Sequence, residues 1–134
     1  MRGEVMTIGR LAKAAGVHVE TIRYYQRRGL IEEPAKPPGG QRRYADSIAG
    51  RLAFIRRAQQ LGFSLEEVKG LLKLAHGTRP ADTREIAERK YAELGRRTGQ
   101  LNGMRRKLKQ LITKSLKANP TGPCPIIAAL FAPE

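Results

Sequence analysis

Thr7-Ile8-Gly9-Arg10-Leu11-Ala12-Lys13-Ala14-Ala15-Gly16-Val17-His18-Val19-Glu20-Thr21-Ile22-Arg23-Tyr24-Tyr25-Gln26-Arg27-Arg28-Gly29 is the stretch whose reading decides the fold. Ile8, Leu11, Ala12 and Ala15 recur at the i, i+3, i+4, i+7 spacing that lays an apolar stripe along one side of a helix, and Thr7 is placed to cap it. Gly16 and Val17 break the pattern. A second helix then runs from about His18 to Arg28, with Val19, Ile22 and Tyr25 on one face and Gly29 where a left-handed closing residue belongs. His18 occupies the capping position where Ser or Asn would be expected, and as a lone histidine it carries no special role. Two short helices joined by a glycine-containing turn read as a helix-turn-helix. The outer face of the second helix holds Glu20, Thr21, Arg23, Tyr24, Arg27 and Arg28. Basic, hydroxyl and aromatic groups together suit phosphates and base edges. A charged face alone is more often merely solvated, but the helix-turn in front of this one favours nucleic acid.

Outward from this motif, residues 31–44 contain Pro34, Pro37, Pro38 and the Gly39-Gly40 pair, which excludes a helix and suits two short strands around a turn, a wing. Arg42 and Arg43 lie at its tip, where phosphate contacts are expected. A third helix starts near Asp46 and carries Ile48, Leu52, Ile55 and Ala58. A fourth opens on Ser64 and Glu67, spaced as a capping box, with Phe63 placed to staple onto Val68. After residues 76–80, a second box from Asp82 to Glu85 is expected to open a helix that no proline interrupts before Pro120. Along it Ala87, Tyr91, Leu94, Thr98, Leu101, Met104, Leu108 and Leu111 step by three or four. So long a helix with so narrow a seam reads as one strand of a coiled coil that needs a partner helix. Gly95, Gly99 and Gly103 recur every four residues, either admitting another helix closely or tolerated because dimer packing dominates. From Asn119 a Pro/Gly loop around Cys124 leads to a short apolar segment, Ile126 to Phe131, expected to dock back on the dimer.

Lys and Arg number 26 against 12 Asp and Glu, a net +14 that implies a polyanionic partner. The eight Lys and Arg between Leu94 and Pro133, unmatched by any acid, read most simply as a solvated coiled-coil face. No apolar run approaches the roughly 18 residues needed to span a bilayer, and Met1-Arg2-Gly3-Glu4 lacks the apolar stretch of a signal peptide, so a cytoplasmic protein without membrane partners is expected. One cysteine cannot form an internal disulfide. Two isolated histidines and one cysteine offer no convergent catalytic set, which argues against an enzyme.

Thr7 to Lys13, Gly16-Val17, Glu20-Thr21-Ile22-Arg23-Tyr24-Tyr25 and Arg28-Gly29-Leu30 closely resemble the opening of MerR-family regulators. Gly40-Gln41-Arg42-Arg43-Tyr44 resembles their wing, Ala58 to Glu67 their third-to-fourth helix junction, and Cys124-Pro125-Ile126-Ile127 their C-terminal loop. The resemblance spans nearly the whole chain and is strongest to the mercury-responsive branch. It implies a mainly α fold, a winged helix-turn-helix followed by a long antiparallel coiled-coil dimerisation helix. The expected division is a DNA-binding domain over residues 1–75, the dimerisation helix over 76–118 and an effector-site loop with a short helix over 119–134. The resemblance further implies that Thr21, Arg23, Tyr24 and Tyr25 lie at the DNA surface with Arg27, Arg42 and Arg43, partial burial being the alternative for Tyr25. Tyr91, Leu94, Leu101, Met104, Leu108 and Leu111 would line the dimer seam. Such homodimers bind an inverted repeat in double-stranded promoter DNA, repress until an effector binds, and then distort the DNA for RNA polymerase.

In the mercury-responsive branch, a cysteine before the long helix of one subunit joins two from the helix end and following loop of the other. Here only the loop cysteine is present, as Cys124; Pro80 and Ser115, natural or engineered, stand at the other two positions. A thiophilic ion such as Hg(II) is the effector this branch implies, yet one thiolate rarely suffices for a soft ion. The missing donors would have to be Ser115 or the partner subunit's His76, both weaker. Cys124 is equally well read as a small buried residue. Two rival readings are a related regulator with a non-metal effector and an architectural protein that binds DNA by charge alone; the helix-turn-helix and wing argue against the second.

Overall fold

The computed structural model describes residues 5–75, 77 and 79–133. Its elements in chain order are β1 (Val5–Met6), α1 (Ile8–Ala15), α2 (Val19–Arg27), β2 (Tyr44–Ala45), α3 (Ser47–Gln60), α4 (Leu65–Lys73), α5 (Pro80–Lys117) and α6 (Pro125–Phe131). The fold is mainly α, a winged helix-turn-helix type of head followed by one long helix. Two compact units, Met1–Glu85 and Ile86–Glu134, divide within α5.

Local chemistry explains the helix boundaries in the first unit. Thr7 is extended and its side chain accepts from the Arg10 amide at the start of α1. At the other end, the Gly16 amide donates to the Lys13 carbonyl and the Val17 amide to that of Ala12. This crossed pair needs a left-handed residue at its centre, which Gly16 supplies with φ of +68°. The same pair closes α2: Gly29, at φ +75°, donates to Gln26 and Leu30 donates to Tyr25. Each motif turns an apolar residue, Val17 or Leu30, back toward the core. His18 precedes α2 in an extended conformation without a side-chain capping bond. Ser64, by contrast, forms the full capping box with Glu67, and Phe63 packs against the core cluster.

The core of this unit is built from α1, α2, α3 and α4. Leu11, Ile22, Leu30, Leu52, Ile55 and Val68 are completely buried, and Tyr25, Ile31, Tyr44 and Leu72 complete the cluster. Each such aliphatic side chain contributes about 1.5–3 kcal/mol on burial. Side chains also tie elements to one another. Arg51 donates to the Leu30 carbonyl at 2.8 Å, and Arg56 reaches the carbonyls of Ala15 and Gly16 at the end of α1.

Two expectations need correction. No hairpin forms within residues 31–44: only Tyr44 of that stretch is in a strand, and β2 pairs antiparallel with β1, Tyr44 facing Met6 and Ala45 facing Val5. Pro34, Pro37 and Pro38 lack the amide that a ladder needs and bias the residues before them. The loop is instead closed by a turn from Gly40 to the Pro37 carbonyl and by Arg42 Nε donating to the Pro34 carbonyl at 2.9 Å. Likewise, α5 opens at Pro80 and not behind Asp82. Proline suits the first helical position because its fixed φ is already helical and no amide is wanted there. Asp82 therefore lies inside the first turn, its carboxylate 3.3 Å from Arg79 Nε.

In the second unit, α5 continues unbroken to Lys117 and its total length is 38 residues. Lys90 is the one buried charged residue among those described, and its ammonium meets Glu93 at 2.8 Å. Beyond α5, Asn119 organises a turn, its side-chain oxygen accepting from the amide and hydroxyl of Thr121. Cys124 stands at the N-cap position of α6 without a side-chain capping bond, with Pro125 at the first helical position.

The contrast between the two caps predicts opposite signs. Ser64→Ala should lower stability by about 1 kcal/mol, whereas His18→Ser, which adds a missing capping oxygen, should raise it by a smaller amount. Urea unfolding of both variants checks this, and equal shifts of one sign would refute the assignment.

Candidate nucleic-acid interface

The buried side of α2 determines which residues remain outside. Ile22 is completely buried and Tyr25 is 5% exposed, so the helix is anchored one turn apart on its inner face. Tyr25 donates its hydroxyl to Gln59 Oε1 of α3 at 2.8 Å. Burial raises the Tyr25 pKa from 10.0, with the nearby Arg56 charge acting in the opposite direction. Gln26, on the flank, donates to the Tyr44 hydroxyl at 2.6 Å and so ties α2 to β2. Tyr25 therefore stands among the core residues, and its position makes it a support for the outer face.

That outer face is cationic and ordered by side-chain contacts. Arg23 Nη1 lies 2.6 Å from Glu20 Oε1. Tyr24 is 39% exposed, and the guanidinium groups of Arg27 and Arg28 each sit 5.8 Å from its ring centroid. Arg28 also donates to the Tyr24 hydroxyl at 3.1 Å. Thr21 is half-buried beside them. Arg42 and Arg43 are exposed on the neighbouring loop, Arg42 held by Glu33 at 3.3 Å. A groove of about 420 Å³ runs between α2, the start of α1 and this loop, and Arg23, Gln26, Glu33, Lys36 and Arg42 are among its lining residues. Guanidinium forks and hydroxyls on one exposed surface can meet both phosphates and base edges. The sequence pattern marks Arg23, Arg27 and Arg42 but contains no signal for Gln26, Glu33 or Lys36, which reach the groove only through the loop's path.

In the second unit, most of the residues expected to line a seam are exposed along α5. Tyr91 is 82% exposed and Leu101 59%, with Leu94, Met104 and Leu108 also exposed and Leu111 half-buried. Ile112 and Leu116 extend this apolar set toward the end of the helix. A Cβ added at Gly95 or Gly99 would meet nothing within 4 Å, so nothing in the chain itself requires glycine there.

The resemblance implies cysteine at the positions of Pro80, Ser115 and Cys124. Pro80 has no donor side chain and begins α5; Ser115 is half-buried near its end; Cys124 is an exposed thiol at the cap of α6. His76 lies outside the described residues. No group of three His, Cys, Asp or Glu able to hold a metal ion occurs among the described residues. A soft ion needs several sulfur donors, and this set supplies one.

Residues 6–75 match the family described as MerR HTH family regulatory protein, and residues 49–111 match the one described as MerR, DNA binding. The chain is 43% identical over 127 residues to the mercuric resistance operon regulatory protein of Shigella flexneri, an alignment covering 95% of this chain and 88% of that protein. Among solved structures, it is similar to the transcription regulator PbrR691 from Ralstonia metallidurans CH34 in complex with lead(II), with a TM-score of 0.80, 30% identity and coverage of 93% of this chain and 98% of that one. It is also similar to the dual function transcriptional regulator MerR from Bacillus megaterium MB1 in complex with mercury(II), with a TM-score of 0.71, 32% identity and coverage of 95% and 100%.

Tyr25→Phe removes one hydrogen bond and one titrating group without altering the packed ring. It should lower stability by about 1 kcal/mol at neutral pH. A tyrosine whose folded pKa is raised holds its proton more tightly when folded, so its contribution is present below pH 10 and lost as pH rises through the raised value. The native chain should therefore lose stability more steeply than Tyr25→Phe above pH 10, measured by urea unfolding across that range; parallel profiles would contradict it.

Proposed function

The chain belongs to the MerR family of helix-turn-helix regulatory proteins, and we propose that it binds an inverted repeat in double-stranded promoter DNA as a homodimer. It is a DNA-binding transcription regulator. The observation that carries the proposal is the cationic outer face of α2, fixed outward by Ile22 and Tyr25 and continued by the loop that bears Arg42. Thr21, Arg23, Tyr24 and Arg27 would meet the major groove, and Arg42 and Arg43 the flanking backbone. Tyr25 would position this face. Residues 1–75 would serve as the DNA-binding part, 76–118 as the dimerisation helix and 119–134 as the effector-site loop.

The homodimer is supported by the exposed seam from Tyr91 through Leu108 to Leu116, which has no use on an isolated helix. Removing one leucine of such a seam from water contributes about 1.5–3 kcal/mol, and a pairing repeats this along both helices. A dimer matches a two-fold operator by presenting two copies of α2. It would act on RNA polymerase by changing which DNA shape is favourable between the half-sites. No described helix is long and apolar enough to cross a membrane. Promoter binding would require a cytoplasmic setting.

The likeness to mercury-responsive regulators supports a metal-type scaffold, but the donor set does not fit the ion. Cys124 alone cannot assemble a tight thiolate site, so this chain would occupy its operator and respond feebly or not at all to thiophilic metals. A non-metal effector is favoured by the same count.

Leu101→Glu with Leu108→Glu should convert the protein to monomers that no longer protect an inverted repeat in the promoter beside its own gene. Sedimentation and footprinting read this together, and an unmodified chain that is monomeric at micromolar concentration would refute the pairing. In parallel, Hg(II) titration of the native chain should yield little thiolate-to-metal absorption and little promoter activation, whereas Pro80→Cys with Ser115→Cys should create both. Tight, activating binding by the native chain would overturn the donor count, and a silent double variant would overturn the shared geometry.

A further inference from the structure

A chain with a net charge of +14 is drawn to any duplex, because every phosphate it neutralises releases counterions whatever the sequence. Yet two arginines of the proposed interface are each held by a carboxylate. Glu20 Oε1 lies 2.6 Å from Arg23 Nη1, and Glu33 Oε1 lies 3.3 Å from Arg42 Nη2. Arg23, Glu33 and Arg42 border the same groove.

Stability does not account for these couples. All four side chains are substantially exposed, and ion pairs of that kind add little to folding. The loop keeps its tie without Glu33, because Arg42 Nε also donates to the Pro34 carbonyl. We propose that Glu20 and Glu33 are specificity-determining residues, which restrain Arg23 and Arg42 from binding indiscriminately to phosphate and so widen the gap between operator and random DNA. This assignment rests on the DNA-interface reading above.

The physical argument is a difference between two kinds of site. On random DNA, an arginine that finds only phosphate gains less when a carboxylate already occupies one side of its fork, and the carboxylate itself is repelled by the backbone. On a matching sequence, Arg23 can meet guanine O6 and N7 while Glu20 accepts from a cytosine amino group, so the acid opposes binding only where the bases are wrong. Glu33 acts on Arg42 by fixing its guanidinium over the loop, which leaves it available to a backbone that passes in one register.

The test uses the full chain and fluorescence anisotropy over a salt series, with two probes: the footprinted promoter duplex beside its own gene and a shuffled duplex of the same composition. Glu20→Gln and Glu33→Gln should each tighten binding to the shuffled duplex and steepen its log K against log salt slope by about 0.9 for the freed arginine. Together they should reduce the operator-to-shuffled ratio about tenfold or more. Glu66→Gln, an exposed acid at the start of α4, makes the same charge change away from the interface and should leave the ratio unchanged. If the two interface variants behave as Glu66→Gln does, or weaken both probes equally as a misfolded head would, the assignment is overturned. A native chain with no preference between the probes would overturn the operator reading beneath it as well.

Discussion

Burial of Ile22 and Tyr25 sets the rotation of α2 about its own axis, and the character of the proposed interface follows from that rotation. Successive residues of a helix are about 100° apart, so anchoring two positions three residues apart leaves no freedom for the rest. Thr21, Arg23, Tyr24 and Arg27 are outside because Ile22 and Tyr25 are inside. The constraint is enforced by contacts from distant parts of the chain: Gln59 accepts the Tyr25 hydroxyl, Tyr44 accepts from Gln26, and Arg56 clasps the carbonyls at the turn before α2. A nine-residue helix would be marginal alone, and here tertiary packing supplies its stability.

The same logic of unsatisfied surface governs the second unit. A helix of 38 residues whose apolar positions are mostly exposed suits the proposed partner helix, and the narrowness of the seam fits another helix better than a broad domain face. Charge is distributed unevenly along it. Its acids, Asp82, Glu85, Glu88 and Glu93, all lie in the first part, whereas the stretch beyond Leu94 carries only cations. Two copies running in opposite directions would set the nearly neutral end of one against the basic end of the other and keep the two basic ends apart, so electrostatics and the apolar seam favour the same proposed arrangement.

In the proposed reading, scaffold and effector chemistry are separable. The likeness covers 95% of the chain, and Cys124-Pro125-Ile126-Ile127 opens α6, yet Pro80 and Ser115 stand at two of the three positions where the resemblance implies cysteine. Pro80 also serves the helix start, because an imino residue is well suited to the first position of α5. A fold can thus retain the shape of a sensor while its ligand set has changed, since packing depends on apolar pattern and metal affinity depends on a few donor atoms.

The amino-acid sequence by itself determined where most helices lie and the faces they bury, as Leu11 and Ala12, Leu52, Ile55 and Ala58, and the Ser64–Glu67 box illustrate, but it placed the start of α5 at the Asp82 box and not at Pro80. These features rest on spacings of three and four residues, which a linear pattern records directly. It also marked the cationic face of α2 and the seam of α5. Only the tertiary structure decided that β2 pairs with β1 and not within the proline-rich loop, and that Tyr25 is a buried support. It likewise brought Glu33 to Arg42 and added Gln26 and Lys36 to the groove. The bonds from Tyr25 to Gln59 and from Gln26 to Tyr44 span 34 and 18 positions. Periodicity cannot encode such pairings, because they exist only once hydrophobic burial has brought separate elements together and left each polar group to find a partner.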